Sequence, residues 1–147
     1  MSVLRMKTIS GLSRKILLAV FILSGCASAN PRTIYIRDSR IQARLAVSEA
    51  EKQRGLMFED GLEENEGMLF IYEKEGSHSF WMKNMRFPLD IIWIGGDKRI
   101  VDIRENVPPC REECNTFAPS GPARYVLEVE AGFVKKRGLK VGDRLKF

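Results

Sequence analysis

A chain of 147 residues with a formal net charge of +5 invites a nucleic-acid reading, which requires a clustered basic patch. The four charges in residues 1–25 are all basic (Arg5, Lys7, Arg14, Lys15), so the remaining chain carries only +1 and that reading is excluded. About 120 positions remain after this segment, enough for one domain with a modest core.

The N-terminal segment reads as an export signal. A basic stretch precedes the apolar run "ILLAVFIL", Ile16–Leu23, and a run that short does not span a bilayer core, which needs about 20 residues. A charged-then-apolar order of this kind marks a secretory signal. The next residues, "LSGC", resemble the bacterial lipoprotein box, in which the cysteine becomes the lipidated first residue. Cleavage within "ASAN" would leave a secreted chain without the lipid. The expected organisation is a signal peptide over 1–25, a lipid-anchored tether over 26–32 with the lipid on Cys26, and a single domain over 33–147. This implies an exported protein held on a membrane and facing the periplasm or the cell exterior.

Along the domain, "TIYIRDSRIQARLAV" alternates between apolar and polar residues, with "RDSR" as a hairpin turn, which is the period of a half-buried strand. "SEAEKQRG" changes period. Ser48 and Glu51 form a capping-box pattern, in which hydroxyl and carboxylate satisfy reciprocal backbone donors, and Gly55 stands at the C-terminal stop, predicting a helix over Glu49–Arg54. An acidic loop, "EDGLEENEG", leads into the apolar strand Gly67–Tyr72. "SFWMKN" alternates again, placing Phe80, Met82 and Asn84 opposite Trp81, Lys83 and Met85. "LDIIWI" and "RIVDIR" flank the tight turn "GGDK", a hairpin signal. "RYVLEVE" is a further strand, "AGFVKKRG" one or two helical turns closed by Gly138, and "GDRLKF" the last strand. The predicted fold is mainly β: a compact antiparallel sandwich or barrel of about eight short strands with one or two short helices.

The loop over 105–123 carries four prolines and the pair Cys110 and Cys114. Long loops of this kind are functional or disordered, and an even cysteine pair in an exported protein predicts a disulfide that holds this one in shape.

The motifs "RGLMFEDGL", "EGMLFIY", "FWMKNMRFPLDIIWI", "GDKRIVDI", "PPC", "ARYVLEVEAGF" and "GLKVGDRL" occur in this order, and together they resemble the domain of unknown function 192 family over about residues 33–147. The resemblance implies a compact, mainly β fold in exported or membrane-linked proteins and carries no established reaction. Met85 departs from the family pattern, which has a threonine at that position.

The central stretch "HSFWMKNMRFPLDII" mixes large apolar side chains with Lys83, Asn84 and Asp90. One reading is structural. A buried carboxylate must be paired, and Arg54, with Arg86 second, is the expected partner of Asp90. Asn84 would satisfy backbone groups, and Lys83 would pass Trp81 to reach water. A second reading is a small-ligand cleft, in which Phe80, Trp81 and Trp93 supply apolar faces and Arg54, Lys83, Asn84 and Asp90 supply polar contacts. The function expected is therefore a non-catalytic envelope domain that binds a small ligand or an envelope protein, with no cofactor, no metal and no nucleic-acid partner. Arg54, Trp81, Lys83, Asn84 and Asp90 are its candidate ligand-binding residues. The alternatives are an enzyme of unknown reaction centred on Arg54, Lys83, Asn84 and Asp90, or a Cu(I) site using His78, Met57, Met82 and Met85, since imidazole and thioether suit that ion.

Overall fold

The computed structural model of the chain describes residues 30–147. The signal segment and Cys26 lie outside the described residues.

The expected hairpin forms at the start. Strand β1 (Arg32–Ile36) turns through Arg37 and Asp38 into β2 (Ser39–Ala46). Helix α1 (Glu49–Arg54) follows, with the capping box in place: the Ser48 hydroxyl accepts from the Glu51 N–H at 3.3 Å, and the Glu51 carboxylate accepts from the Ser48 N–H at 2.8 Å. Gly55 closes the helix at φ 48°, with its N–H donated to the Glu51 carbonyl. Strand β3 (Glu66–Gly76) then lies parallel to β2. This corrects the purely antiparallel expectation. Parallel neighbours need a crossover of a dozen or more residues, and the 47–65 segment carrying α1 supplies it.

The remaining elements are β4 (Phe80–Trp81), β5 (Leu89–Ile94), β6 (Ile100–Val107), β7 (Thr116–Phe117), β8 (Ala123–Glu130), α2 (Phe133–Arg137) and β9 (Leu145–Lys146). Seven of the strands make one sheet in the order β6-β5-β8-β3-β2-β1-β9. Its two ends meet. Ile100 N–H donates to the Asp143 carbonyl and Leu145 N–H to the Lys98 carbonyl, each at 2.9 Å, beside a bridge between Arg99 and Arg144. The sheet is thereby curled into a half-barrel.

Alternation along the strands produces two cores. Ile34, Ile41, Leu69, Ile92, Leu127 and Leu145, from strands right across the sheet, face inward with Phe133 and Val134 of α2. On the other face Met68, Phe70, Leu89, Ile91, Trp93 and Val126 are covered by Phe80, Met82, Met85 and Phe87. Residues 80–87 of the mixed stretch are thus a lid over the outer face of β3, β8 and β5, and its last four residues belong to β5 itself.

Asp90 is fully buried on the inward face. Its Oδ1 accepts from the Asn106 N–H and its Oδ2 from the Val134 N–H, both at 2.8 Å. Asn106 is at φ 52°, where β6 bulges against β5, and a bulge leaves a backbone group outside the ladder. Val134 lies in the first turn of α2, whose N-cap, Gly132, has no side chain to offer. Asp90 therefore caps a helix and satisfies a bulge from a neighbouring strand. The expected partners are corrected: Arg54 is exposed on α1, and Arg86 pairs with Asp60 at the surface. A carboxylate needs compensation for burial, and two backbone donors supply it as an arginine would.

Removing the Asp90 carboxylate leaves the buried Val134 N–H and the part-buried Asn106 N–H without acceptors. Hydrogen bonds to charged groups contribute roughly 1.5–3 kcal/mol each, so Asp90→Ala is expected to cost about 3–5 kcal/mol, while Arg54→Ala changes stability by less than about 0.5 kcal/mol. Urea unfolding of the two variants measures this directly; a large loss in Arg54→Ala would restore the arginine as the partner.

Candidate functional site

The lid is fastened by the proline-rich loop. The Cys110–Cys114 disulfide forms, with the Cα atoms 5.6 Å apart. Cys110 N–H donates to the Met82 carbonyl at 3.0 Å, and Asn84 N–H donates to the Cys110 carbonyl at 3.2 Å. Farther along, β7 pairs antiparallel with β4. Within the lid the alternation holds from Phe80 to Lys83 and then breaks. Asn84 takes φ 59° and Met85 turns inward to 7% exposure, against the expectation that it shares an outward face with Trp81 and Lys83. Asparagine tolerates this left-handed conformation better than a bulky residue.

The carbonyl of Asn84 accepts from the Phe58 N–H at 3.0 Å, and its side-chain amide lies 3.8 Å from the Met57 sulfur. Phe58 itself stands at φ 67° and is mostly exposed, an uncommon conformation for an aromatic residue. Next to it, Glu59 accepts both guanidinium nitrogens of Arg44, at 2.9 and 2.7 Å. The segment after α1 is therefore fixed against the lid by backbone bonds on one side and a bidentate ion pair on the other.

Between α1, this segment and the lid lies a narrow cleft of about 30 Å³. Arg54, Met57, Trp81, Lys83 and Met85 line it, and Glu128 of β8 is among its walls. Glu128 shares the outer face of the sheet with Val126 and is only 5% exposed. Burial, reinforced by the nearby negative charge of Glu59, pushes its carboxyl up to about 8. A carboxyl so placed is protonated at neutral pH and offers one O–H donor and acceptor oxygen together. Tyr72, on the neighbouring β3, is pushed up to about 12 by burial and by the charges of Glu49 and Glu128.

The cleft opens into a wider groove of about 500 Å³ lined by Glu49, Gln53, Tyr72, Ser79 and Trp81. Lys52, Gln53, Phe80 and Trp81 border both, so the two adjoin. Trp81 is 46% exposed, and the Lys83 ammonium lies 5.2 Å from its ring centroid. Neither Arg54 nor Lys83 forms an ion pair among the described residues.

The structure brings together three of the five expected site residues, Arg54, Trp81 and Lys83. Asn84 lies behind the cleft as a backbone joint. Asp90 is on the opposite face of the sheet, engaged with α2, and is corrected from a ligand contact to a structural residue. Trp93 is fully buried, with its indole N–H donated to the His78 carbonyl at 2.8 Å, and is core rather than a ligand platform. The soft donors do not share one cavity. His78 stacks on Tyr72 at 3.5 Å, Met82 borders the proline-rich loop, and Met57 and Met85 border the Glu128 cleft. Glu128 was the residue that the sequence reading missed; its signal was a carboxylate inside "YVLEV", the same anomaly that singled out Asp90.

Comparison with known proteins matches residues 32–147 to the family model DUF192, described as an uncharacterized ACR. The chain belongs to the DUF192 family. Among its relatives, a UPF0127 protein of Pyrococcus furiosus is 25% identical over 116 residues, spanning 76% of this chain and 90% of that one. A UPF0127 protein of Thermococcus kodakarensis is 23% identical over 108 residues, spanning 72% of this chain and 64% of its own. Two crystal structures are similar, each with a TM-score of 0.72, 32% identity and coverage of 80% of this chain. One is a protein of unknown function from Novosphingobium aromaticivorans, covered over 85% of its length. The other, from Sinorhizobium meliloti, carries the provisional description of a transcription regulator and is covered over 95%. The DUF192 fold of this chain is thus the expected mainly β one.

The raised Glu128 carboxyl makes stability depend on pH in a defined direction. Unfolding returns the group to about 4.5, so the unfolded chain releases a proton that the folded chain retains between about 4.5 and 8. Stability is lost as pH rises through this window and levels off above it. At about 1.4 kcal/mol per unit, the loss is on the order of 5 kcal/mol. Glu128→Gln, which keeps the shape and cannot ionise, is expected to flatten this part of the curve; a parallel pH dependence in wild type and variant would contradict the assignment.

Proposed function

We propose that this DUF192 protein is an exported, lipid-anchored envelope protein whose domain holds a small ligand in the cleft beside Glu128 without transforming it. The signal segment and the "LSGC" box support export and lipidation at Cys26. One observation carries the binding reading: a buried carboxyl with no counter-charge offsetting its burial, in a cleft bordered by Arg54 and Lys83, two cations without ion-pair partners among the described residues. Buried polar groups are normally satisfied within the protein, as Asp90 is. A buried acid left free beside an opening is arranged for a group that arrives from outside.

Binding is favoured over turnover by the composition of the walls. The cleft presents one acid among lysines, an arginine and apolar side chains, and neither an imidazole nor a second carboxylate lines it. General acid–base chemistry works through groups placed to give and to take a proton. Nucleic acid is a poor fit for a domain with a net charge of only +1 beyond the signal segment, the description of the Sinorhizobium protein notwithstanding.

Two measurements test the proposal. Fatty-acid labelling in cells should tag the wild-type chain and miss Cys26→Ala; equal labelling would remove the anchor. In a thermal-shift screen of small organic acids and polyols, a compound that binds only the native state raises the melting temperature. The shift should disappear in Arg54→Gln and Glu128→Gln. Hits that survive both substitutions would place binding elsewhere.

A further inference from the structure

We infer that the ligand of the cleft is an acidic saccharide, a sugar ring bearing a carboxylate, with the ring against Trp81 and one hydroxyl directed at Glu128. This deepens the binding proposal above and rests on it.

The first argument is size. The inner cleft of about 30 Å³ has room for a water-sized polar group, since one water needs about 10–15 Å³ by this measure. The outer groove of about 500 Å³ has room for a ring. Two adjoining spaces of these sizes suit a ring with one small polar substituent.

The second argument is chemical. Glu128 in its protonated form donates one hydrogen bond and accepts another. A hydroxyl is the small group that answers both at once. Around the outer groove, Glu49, Lys52, Gln53 and Ser79 place polar side chains beside the exposed ring of Trp81. A sugar has the complementary form: its C–H face packs on an aromatic ring while hydroxyls around its perimeter bond to polar side chains. Glu49 and Lys52 pair with each other at 2.9 Å, whereas a wholly apolar ligand would leave Gln53 and Ser79 without partners, at the cost of their desolvation.

The third argument is charge. Arg54 and Lys83 border the inner cleft without ion-pair partners among the described residues, and the Lys83 ammonium rests over the Trp81 ring. A carboxylate on the sugar is the group whose charge complements this pair. The planar fork of arginine suits a carboxylate, which a neutral sugar lacks.

Calorimetric titration of the detergent-solubilised full-length chain tests this with three probes: N-acetylmuramic acid, N-acetylglucosamine and benzoate. The expected order places N-acetylmuramic acid at least tenfold tighter than either of the others. Trp81→Ala should weaken it about tenfold or more, and Arg54→Gln should reduce the preference for the acid over the neutral sugar. Both substitutions are at exposed positions, and an unchanged melting temperature without ligand confirms that the variants fold. Benzoate binding as tightly as the acidic sugar, and weakening in Arg54→Gln, would overturn the saccharide while leaving the cleft as a carboxylate site. Binding of the acidic sugar that is indifferent to Trp81→Ala, Arg54→Gln and Glu128→Gln alike, or no binding of any probe, would overturn the saccharide assignment; in the first case the cleft loses its role as well.

Discussion

The carboxylate of Asp90 ties the hairpin of β5 and β6 to helix α2. It belongs to β5, next to the end strand of the sheet, and it bonds to the bulged backbone of β6 and to the first turn of α2. The helix α2 contributes Phe133 and Val134 to the inward core. Five residues are too few for a helix to persist on propensity alone, and its glycine N-cap gives no help. The geometry of this end of the barrel therefore depends on one buried charge, held by backbone donors that are themselves short of partners.

The same sheet displays a second buried carboxyl on its other face, with the opposite outcome. Glu128 lies across from Ile91 in the register of β8 with β5, one strand position from the pairing of Asp90 with Val129. Each strand is buried on both sides, so neither acid reaches water by turning over. Asp90 meets two N–H groups and becomes part of the frame. Glu128 meets methionine, aromatic side chains and a like charge, and is held neutral. Burying a charge is far costlier than burying a neutral acid, which explains why the proton stays. The lid over Glu128 is kept in place by the Cys110 and Asn84 backbone bonds, so the cleft is a product of the loop and of the segment after α1 together.

Most of the fold was legible in the sequence because it is written in local patterns. The capping box at Ser48 and Glu51, the stop at Gly55, the hairpins and the alternating strands each depend on residues close in sequence. The parallel pairing of β2 with β3 was not legible, since the pattern of a strand does not record the direction of its neighbour. The partner of Asp90 was missed for a related reason. A lone carboxylate in an apolar run announces that it needs compensation, but backbone N–H groups leave no mark on the sequence, and arginine was the visible candidate. Arg54, Trp81 and Lys83 stand out in the sequence as cations and an aromatic residue beside apolar motifs. Glu128 was passed over because "RYVLEVE" also fits a strand with one wet face; only the lid makes that face dry.

The contrast between a satisfied and an unsatisfied buried acid is the centre of this account, and the titration of Glu128 tests it most directly. Carbon-detected NMR of the side-chain carboxyl, assigned by comparison with Glu128→Gln, follows its protonation as pH is raised. The account predicts a midpoint near 8 in the ligand-free protein. A midpoint near the ordinary 4.5 would mean that the carboxylate has water or a cation for company, and that the cleft beside it is not the site described.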